Sequence, residues 1–253
     1  MRKRGMPMHW SVSRRNAGIM TRLPRPDLAG VPQHVVQRGN NRMPCFLDDD
    51  DRQRYLQCLR ESLIRHGCEL HAYVLMSNHV HLLLTPPEKG TVSRLMQMFA
   101  RNYAGLFNGR HGRTGTLWEG RYKSCVVDTE GYVLTCSRYI ELNPVRAWMA
   151  SDPADYPWSS YCANALGQPD SLITPHAAML ALGNDKETRI TAYRALFDEV
   201  LPDETVMEIR VYLQQQRALG TDRFRERVEA ELKRFAGVRP AHRPRKSVRG
   251  IEV

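Results

Sequence analysis

The chain has 253 residues, of which 42% are hydrophobic and 25% charged, and its formal net charge is +10. No apolar run approaches the roughly 20 residues needed to span a bilayer, and the N-terminus lacks the apolar core of a secretory signal. Because the six cysteines include no Cys-x-x-Cys pair, the sequence argues against a zinc ribbon or a disulfide scaffold and predicts a cytoplasmic globular protein.

The positive charge is concentrated at the two ends of the chain. Residues 1–30 carry seven basic residues against Asp27, and residues 233–253 carry seven against Glu252. Between them, residues 31–150 have a net charge of +4 and residues 151–232 one of −6. Basic arms attract a polyanion, most simply nucleic acid, although such tails can also serve solubility alone. Met20 is an alternative start, so no function is assigned to residues 1–19.

The first predicted elements are a short strand over residues 34–38 and a helix that follows the acidic run 48–51 and ends at Gly67. A turn-rich segment, residues 39–44, separates them. Carboxylates stabilise a helix N-terminus, so capping and solvation explain the acidic run better than a metal site does.

Two buried strands then meet at the polar turn formed by Ser77 and Asn78. On the second strand, His79 and His81 stand at i and i+2, so both project from the same face as Leu83. Neutral imidazoles in this arrangement can converge on one divalent cation. Two histidines are only half of a metal site, however, and each can equally well form a hydrogen bond within the core.

The remaining pattern predicts a helix over residues 91–107, a strand over 117–127 that places Arg121 and Lys123 on one face, and a helix over 128–143. The apolar face of the first of these helices comprises Val92, Leu95, Met96, Phe99, Tyr103 and Leu106. The order strand, helix, strand, strand, helix, strand is typical of a ferredoxin-like α+β sandwich, an antiparallel sheet with helices on one face. The last helix must then cross to reach the histidines.

Residues 186–235 have a helical pattern, which predicts a small helical C-terminal region. Two of its helices flank the turn 217–221, an arrangement that resembles a DNA-reading helix-turn-helix. The net charge of −6 over residues 151–232 argues against that interpretation, because a helix docked in a groove faces phosphates.

Tyr139 and Asn143 stand at i and i+4 of the helix that Pro144 is expected to stop, so a phenol and a carboxamide point the same way. The carboxamide oxygen can complete a cation site with His79 and His81. A phenol, with a pKa of about 10, is a poor nucleophile unless a nearby cation or base activates it. The alternative is that the tyrosine packs on the sheet and the asparagine caps the helix end.

Four segments together resemble the single-tyrosine HUH transposases, and in particular the REP-associated tyrosine transposases. The segments are Val-Gln-Arg-Gly-Asn-Asn-Arg (36–42), Tyr-Val-Leu-Met-Ser-Asn-His-Val-His (73–81), Gly-Thr-Leu-Trp-Glu-Gly-Arg-Tyr-Lys (115–123) and Arg-Tyr-Ile-Glu-Leu-Asn-Pro-Val-Arg-Ala (138–147). The resemblance covers residues 31–162, which become the predicted catalytic domain. A basic arm (1–30) precedes it, and a helical region (163–236) and a basic tail (237–253) follow.

This resemblance implies a ferredoxin-like enzyme that cleaves and rejoins single-stranded DNA at hairpin-forming repeats. It assigns Tyr139 as the nucleophile that forms a 5′-phosphotyrosine, and His79, His81 and Asn143 as ligands of Mg²⁺ or Mn²⁺. Relatives commonly have Gln where this chain has the shorter Asn143. Glu141 is a candidate accessory carboxylate, but its i+2 offset from the tyrosine turns it toward another face.

Further side chains of the resembling segments are predicted to contact DNA, in a nucleoid-associated monomer or homodimer. Trp118 and Tyr122 are expected to be exposed and to stack on unpaired bases. The predicted polar contacts are Arg38, Asn41, Arg42, Arg121, Lys123 and Arg146. Two rival functions remain at this point: a domesticated, non-catalytic regulator that binds repeat hairpins, and a metal-dependent hydrolase that uses water as its nucleophile.

Overall fold

The computed structural model describes residues 24–129 and 131–239, and its centre is one mixed sheet. Within these residues the strands are β1 (Gln33–Arg38), β2 (Glu69–Met76), β3 (His79–Thr85), β4 (Lys123–Val127) and β5 (Ala218–Leu219). Their order is β2-β3-β1-β4-β5; the first four are antiparallel, and β5 pairs in parallel with β4. The predicted α+β class is confirmed, and the parallel edge strand is an addition to it.

Helices cover both faces of the sheet. They are α1 (Asp49–His66), α2 (Thr91–Arg110), α3 (Tyr132–Glu141), α4 (Asn143–Arg146), α5 (Tyr161–Leu166), α6 (Ala177–Leu180), α7 (Lys186–Ala195), α8 (Asp203–Gln215) and α9 (Asp222–Leu232). None of these described helices has both the length and the apolar character needed to span a membrane. The predicted arrangement, with helices on one face, holds for α1 and α2 only, because α3 and α8 pack on the opposite face.

The β2–β3 hairpin matches its prediction and separates the two cores. Strand alternation places Val80, Leu82 and Leu84 in the core under α1 and α2, whereas Leu83 lies in the core under α3 and α8. His81 has the same parity as Leu83 and pairs with Val36 of β1. The side of the sheet that faces α3 therefore receives the histidines.

The acidic run at the start of α1 caps the helix, as predicted. Asp48 Oδ1 accepts a hydrogen bond from the backbone nitrogen of Asp51 at 3.0 Å. The carboxylate of Asp51, only 1% exposed, accepts hydrogen bonds from the backbone nitrogen of Leu47, from Arg110 at the end of α2 and from His111. This cluster therefore joins the start of α1 to the end of α2 and is structural.

Two predicted element boundaries are wrong. Helix α2 continues to Arg110, so Phe107 is buried and Leu106 is 46% exposed. Strand β4 begins only at Lys123, because the preceding glycine-rich segment turns. The turn 217–221 contains strand β5, which fills the sheet edge beside β4 instead of joining two DNA-reading helices.

Candidate active site

A basic cleft of about 1040 Å³ opens where the ends of β1, β3 and β4 meet α3, α4 and α8. His79, His81, Tyr139 and Asn143 all line it, so one chain brings the four predicted catalytic groups together. Glu119 is the one acidic side chain among its described lining residues. The basic ones are Arg25, Arg38, Arg42, Arg121, Lys123, Arg146 and Arg210.

The orientation of His79 is fixed by the polar turn that precedes it. Asn78 Nδ2 donates a hydrogen bond to the carbonyl of Arg42 at 3.0 Å, which turns Asn78 Oδ1 toward His79. That oxygen can only accept, so His79 Nδ1 donates to it across 2.7 Å. The proton of the neutral ring is thereby placed on Nδ1, and Nε2 keeps its lone pair.

His81 is held from behind by a second histidine that sequence reasoning missed. His34 of β1 is fully buried, and its Nε2 lies 2.8 Å from His81 Nδ1. The two rings are stacked with their centroids 5.1 Å apart, and the His79 and His81 rings are also 5.1 Å apart. The three imidazoles form a continuous row that ends at the cleft.

Burial keeps these imidazoles neutral at physiological pH. Desolvation lowers the pKa of His34 to about 3 and that of His79 to about 4. Desolvation also lowers the pKa of His81 well below its ordinary value, and the neighbouring histidines lower it further. Neutral imidazole is the form that binds a metal ion.

Tyr139 presents its ring to both His34 and His81. The ring centroids lie 5.8 Å and 5.9 Å away, each in an edge-on arrangement. The Arg146 guanidinium carbon lies 4.5 Å from the centroid of the Tyr139 ring, and its Nη2 donates to the Tyr139 carbonyl. Burial lowers the pKa of Arg146 to about 10, so this side chain remains a cation at neutral pH beside the phenol.

Asn143 is positioned by the proline that follows it. Pro144 has no backbone N–H and cannot donate to the Ile140 carbonyl one turn earlier. The side-chain Nδ2 of Asn143 donates to that carbonyl at 3.2 Å and to the Tyr139 carbonyl at 3.1 Å. Helix α3 ends at Glu141, before Pro144, and Pro144 lies in the first turn of the separate helix α4, where a missing N–H is tolerated.

These donors fit a hard divalent cation. The Asn143 nitrogen is used by the backbone, which leaves the carboxamide oxygen, a ligand type that Mg²⁺ and Mn²⁺ accept, and the imidazole nitrogens suit Mn²⁺. Across the described residues no group of three or more His, Cys, Asp or Glu side chains is placed to hold a metal. A cation site here therefore depends on the amide as well as on His79 and His81.

The predicted DNA contacts fall into two groups. Arg38, Arg42, Arg121, Lys123 and Arg146 line the cleft, whereas Asn41 is exposed on a turn beside it.

The expected exposure of the two aromatic side chains is wrong. Trp118 is 6% exposed and donates from Nε1 to the Ala100 carbonyl at 2.9 Å. Tyr122 is 8% exposed, lies 3.0 Å from the Ser93 hydroxyl and is covered by the Arg25 guanidinium. Both rings belong to the core under α2, so neither is free to stack on a base.

Helix α8 supplies a wall of the cleft that sequence reasoning also missed. Arg210 and Gln214 line it, and Gln214 Oε1 accepts a hydrogen bond from Lys123 Nζ at 2.5 Å. The negative net charge of residues 151–232 concealed this basic contribution. In that region, the positions of individual side chains determine the charge of the cleft more than the net charge does.

Glu141 faces away from the cleft, as its offset from Tyr139 predicts. It is fully buried, and its carboxylate accepts hydrogen bonds from Ser160, Asn164 and Tyr193 at 2.6 to 2.8 Å. Desolvation raises its pKa to about 7 against the effect of those donors. Glu141 thus anchors α3 to α5 and α7.

Comparisons with known proteins find similarity over the part of the chain that contains this cleft. Residues 29–143 match the family model described as "Transposase IS200 like", whereas no curated protein matches the chain. Among solved structures, a REP-associated tyrosine transposase bound to a REP hairpin has 19% sequence identity and a TM-score of 0.51 over 63% of this chain and 96% of its own. A candidate transposase from Deinococcus radiodurans R1 has 25% identity and a TM-score of 0.34 over 47% of this chain and 95% of its own.

The family match spans β1 through α3 and includes both cleft histidines, Tyr139 and Asn143. The REP-associated transposase structure agrees with the overall fold. Residues 29–143 of this chain are therefore similar to the IS200-like transposases.

Proposed function

We propose that this protein is a metal-dependent tyrosine transposase that cleaves and rejoins single-stranded DNA at hairpin-forming repeats. The observation that carries the proposal is the convergence of His79, His81, Tyr139 and Asn143 in one basic cleft. The match to the IS200-like transposase model supports DNA cleavage in general. A hairpin substrate is supported by the fold shared with a transposase that was solved with a REP hairpin.

In the proposed cleavage step, the Tyr139 phenol oxygen attacks a phosphodiester phosphorus. A new bond from phosphorus to the tyrosine oxygen forms as the bond to the 3′ oxygen breaks. The phenol loses a proton and the departing 3′ oxygen gains one, so the products are a 5′-phosphotyrosine and a free 3′-hydroxyl. The number of phosphoester bonds is unchanged, and a second 3′-hydroxyl can therefore reverse the step on a new end without ATP.

The side chains around Tyr139 have distinct parts in this step. Arg146, a cation packed on the tyrosine ring, attracts the phosphate and stabilises the negative charge that develops on it. His79, His81 and Asn143 would hold Mg²⁺ or Mn²⁺, which supplies charge neutralisation at the scissile phosphate. Arg38, Arg121 and the other basic side chains of the cleft position the DNA backbone.

The proposal predicts a covalent adduct that depends on one hydroxyl group. A labelled single-stranded hairpin is incubated with protein and Mg²⁺ and analysed on an SDS gel. We expect an SDS-resistant adduct with the wild type and none with Tyr139→Phe, which should still bind the hairpin. Tyr132→Phe, on the same helix but outside the cleft, is the matched control and should form the adduct normally.

The same gel separates the rival functions. A non-catalytic regulator that binds repeat hairpins would use the basic cleft but would neither cut the DNA nor form an adduct. A hydrolase with water as nucleophile would cut without an adduct, and Tyr139→Phe would cut as well. Cleavage that persists in EDTA or in His79→Ala would contradict the proposed metal dependence.

A further inference from the structure

His34 is the buried partner of a proposed metal ligand, and none of the sequence motifs includes it. In the register of β1 and β3 it stands opposite Leu83, two residues from the pair Val36 and His81, so its side chain reaches His81 diagonally. The distance of 2.8 Å between His34 Nε2 and His81 Nδ1 is that of a hydrogen bond. Both rings are at least nine-tenths buried, so within the described residues each is the natural partner of the other.

Only one proton can lie between these two nitrogens. Whether it is bonded to His81 or to His34 determines whether His81 can bind a cation through Nε2. If His81 Nδ1 donates, the Nε2 of His81 keeps a lone pair that can bind a cation. If His34 Nε2 donates instead, neutral His81 carries its proton on Nε2 and cannot be a ligand there. The neighbouring His79 has no such ambiguity, because its partner, Asn78 Oδ1, can only accept.

The other ring nitrogen of His34, Nδ1, does not determine which of the two histidines donates the proton. His34 Nδ1 is buried and has no hydrogen-bond partner among the described residues. A backbone carbonyl at that point would have held the proton on Nδ1 and fixed the donor in the pair. The position of the proton in the pair is therefore determined by the group that binds His81 Nε2 on the side of the cleft.

We propose that His34 is a positioning residue that accepts the Nδ1 proton of His81 and thereby presents the His81 Nε2 lone pair to a divalent cation in the cleft. This inference rests on the proposed metal site. Partners of this kind typically raise metal affinity about 10-fold to 100-fold. Burial of both rings strengthens the effect, because a hydrogen bond is electrostatically stronger in the protein interior than in water.

The test measures cation affinity directly, on the full chain without DNA, by titrating Mn²⁺ and following free Mn²⁺ by electron paramagnetic resonance. We expect His34→Leu to weaken Mn²⁺ binding about 10-fold to 100-fold. His34→Gln, whose carboxamide oxygen can accept from His81 Nδ1, should restore most of the loss. His71→Leu is the matched control: it removes a buried histidine on β2 that is bonded to Thr174 and Thr85, and it should leave Mn²⁺ affinity unchanged.

A second measurement reports the proton itself. In protein labelled with ¹⁵N-histidine and loaded with Mg²⁺, His81 should show the tautomer protonated at Nδ1. A His81 protonated at Nε2 in the Mg²⁺-loaded protein would overturn the inference, even if the leucine variant does not fold.

The outcomes distinguish this inference from the proposed function. If His79→Ala also leaves Mn²⁺ binding intact, the metal site itself is wrong and the role of His34 falls with it. If His79→Ala abolishes binding while a folded His34→Leu binds as the wild type does, only the role of His34 is overturned. Loss in His34→Leu with recovery in His34→Gln supports it.

Discussion

Glu141 offers a prediction whose size follows from its surroundings. Burial raises its pKa from 4.5 to about 7, so the folded protein retains this proton at pH values where the unfolded chain has released it. We therefore expect the free energy of unfolding to be highest below about pH 4.5, as far as this group is concerned, and to fall as the pH rises to about 7. The difference in pKa corresponds to about 3 kcal/mol.

The substitution Glu141→Gln removes the titration and keeps most of the contacts. The glutamine oxygen can still accept from Ser160 and Asn164, and its amide can donate to the Tyr193 oxygen. Urea denaturation at pH 5, 6, 7 and 8 should show the wild type losing about 2.5 kcal/mol relative to the variant between pH 5 and pH 8. Glu61→Gln, at an exposed position of α1, is the control and should follow the wild type. An equal pH dependence in the wild type and Glu141→Gln would refute the reasoning.

Three further outcomes are expected. Because one chain supplies all four groups of the cleft, mixing His79→Ala with Tyr139→Phe protein should not restore the SDS-resistant adduct; recovery would mean that the site is shared between chains. Arg210→Ala should weaken hairpin binding and reduce the slope of log affinity against log salt by about 1, and an unchanged slope would place this side chain off the DNA. Asp51→Ala should lower the free energy of unfolding in urea by about 1–3 kcal/mol, because it removes the buried acceptor of the Leu47 backbone N–H and of His111; a loss below about 0.5 kcal/mol would contradict that role.

The groups that sequence periodicity could find were those that share one element. Strand parity places His79 and His81 on one face, and helical spacing places Tyr139 and Asn143 on another, so each pair is visible from local rules alone. The prediction that the two pairs lie in one site required the family resemblance, because no local rule says which face of the sheet α3 covers. His34 was not identified from the sequence for a related reason: its contact with His81 depends on the register between two strands that are far apart in sequence.

The errors have physical causes of the same kind. Trp118 was expected on the surface as a side chain that stacks on bases, yet its indole nitrogen donates to a carbonyl of α2 and the ring is buried. Arg210 was passed over because the net charge of its region is negative. Helix α8 nevertheless packs on the sheet, and Arg210 lines the cleft. The net charge of a segment averages over all of its side chains, whereas a binding site depends only on the side chains that face it.

Asn143 shows how one side chain can serve both functions that the sequence left as alternatives. Its nitrogen donates to the Ile140 carbonyl that Pro144 cannot serve, and its oxygen is thereby left for the cleft. The shorter Asn suits this double role, because an additional methylene would carry the amide away from the carbonyl it caps. Asn143→Ala consequently confounds helix stability with ligation, whereas Asn143→Asp keeps an oxygen ligand and removes only the donor. If the two roles are separable, the aspartate variant should retain Mn²⁺ binding while its free energy of unfolding falls by about 1–3 kcal/mol. Loss of Mn²⁺ binding by the folded aspartate variant would show that the hydrogen bonds from Nδ2 are needed to position the oxygen, so that the two roles are not separable.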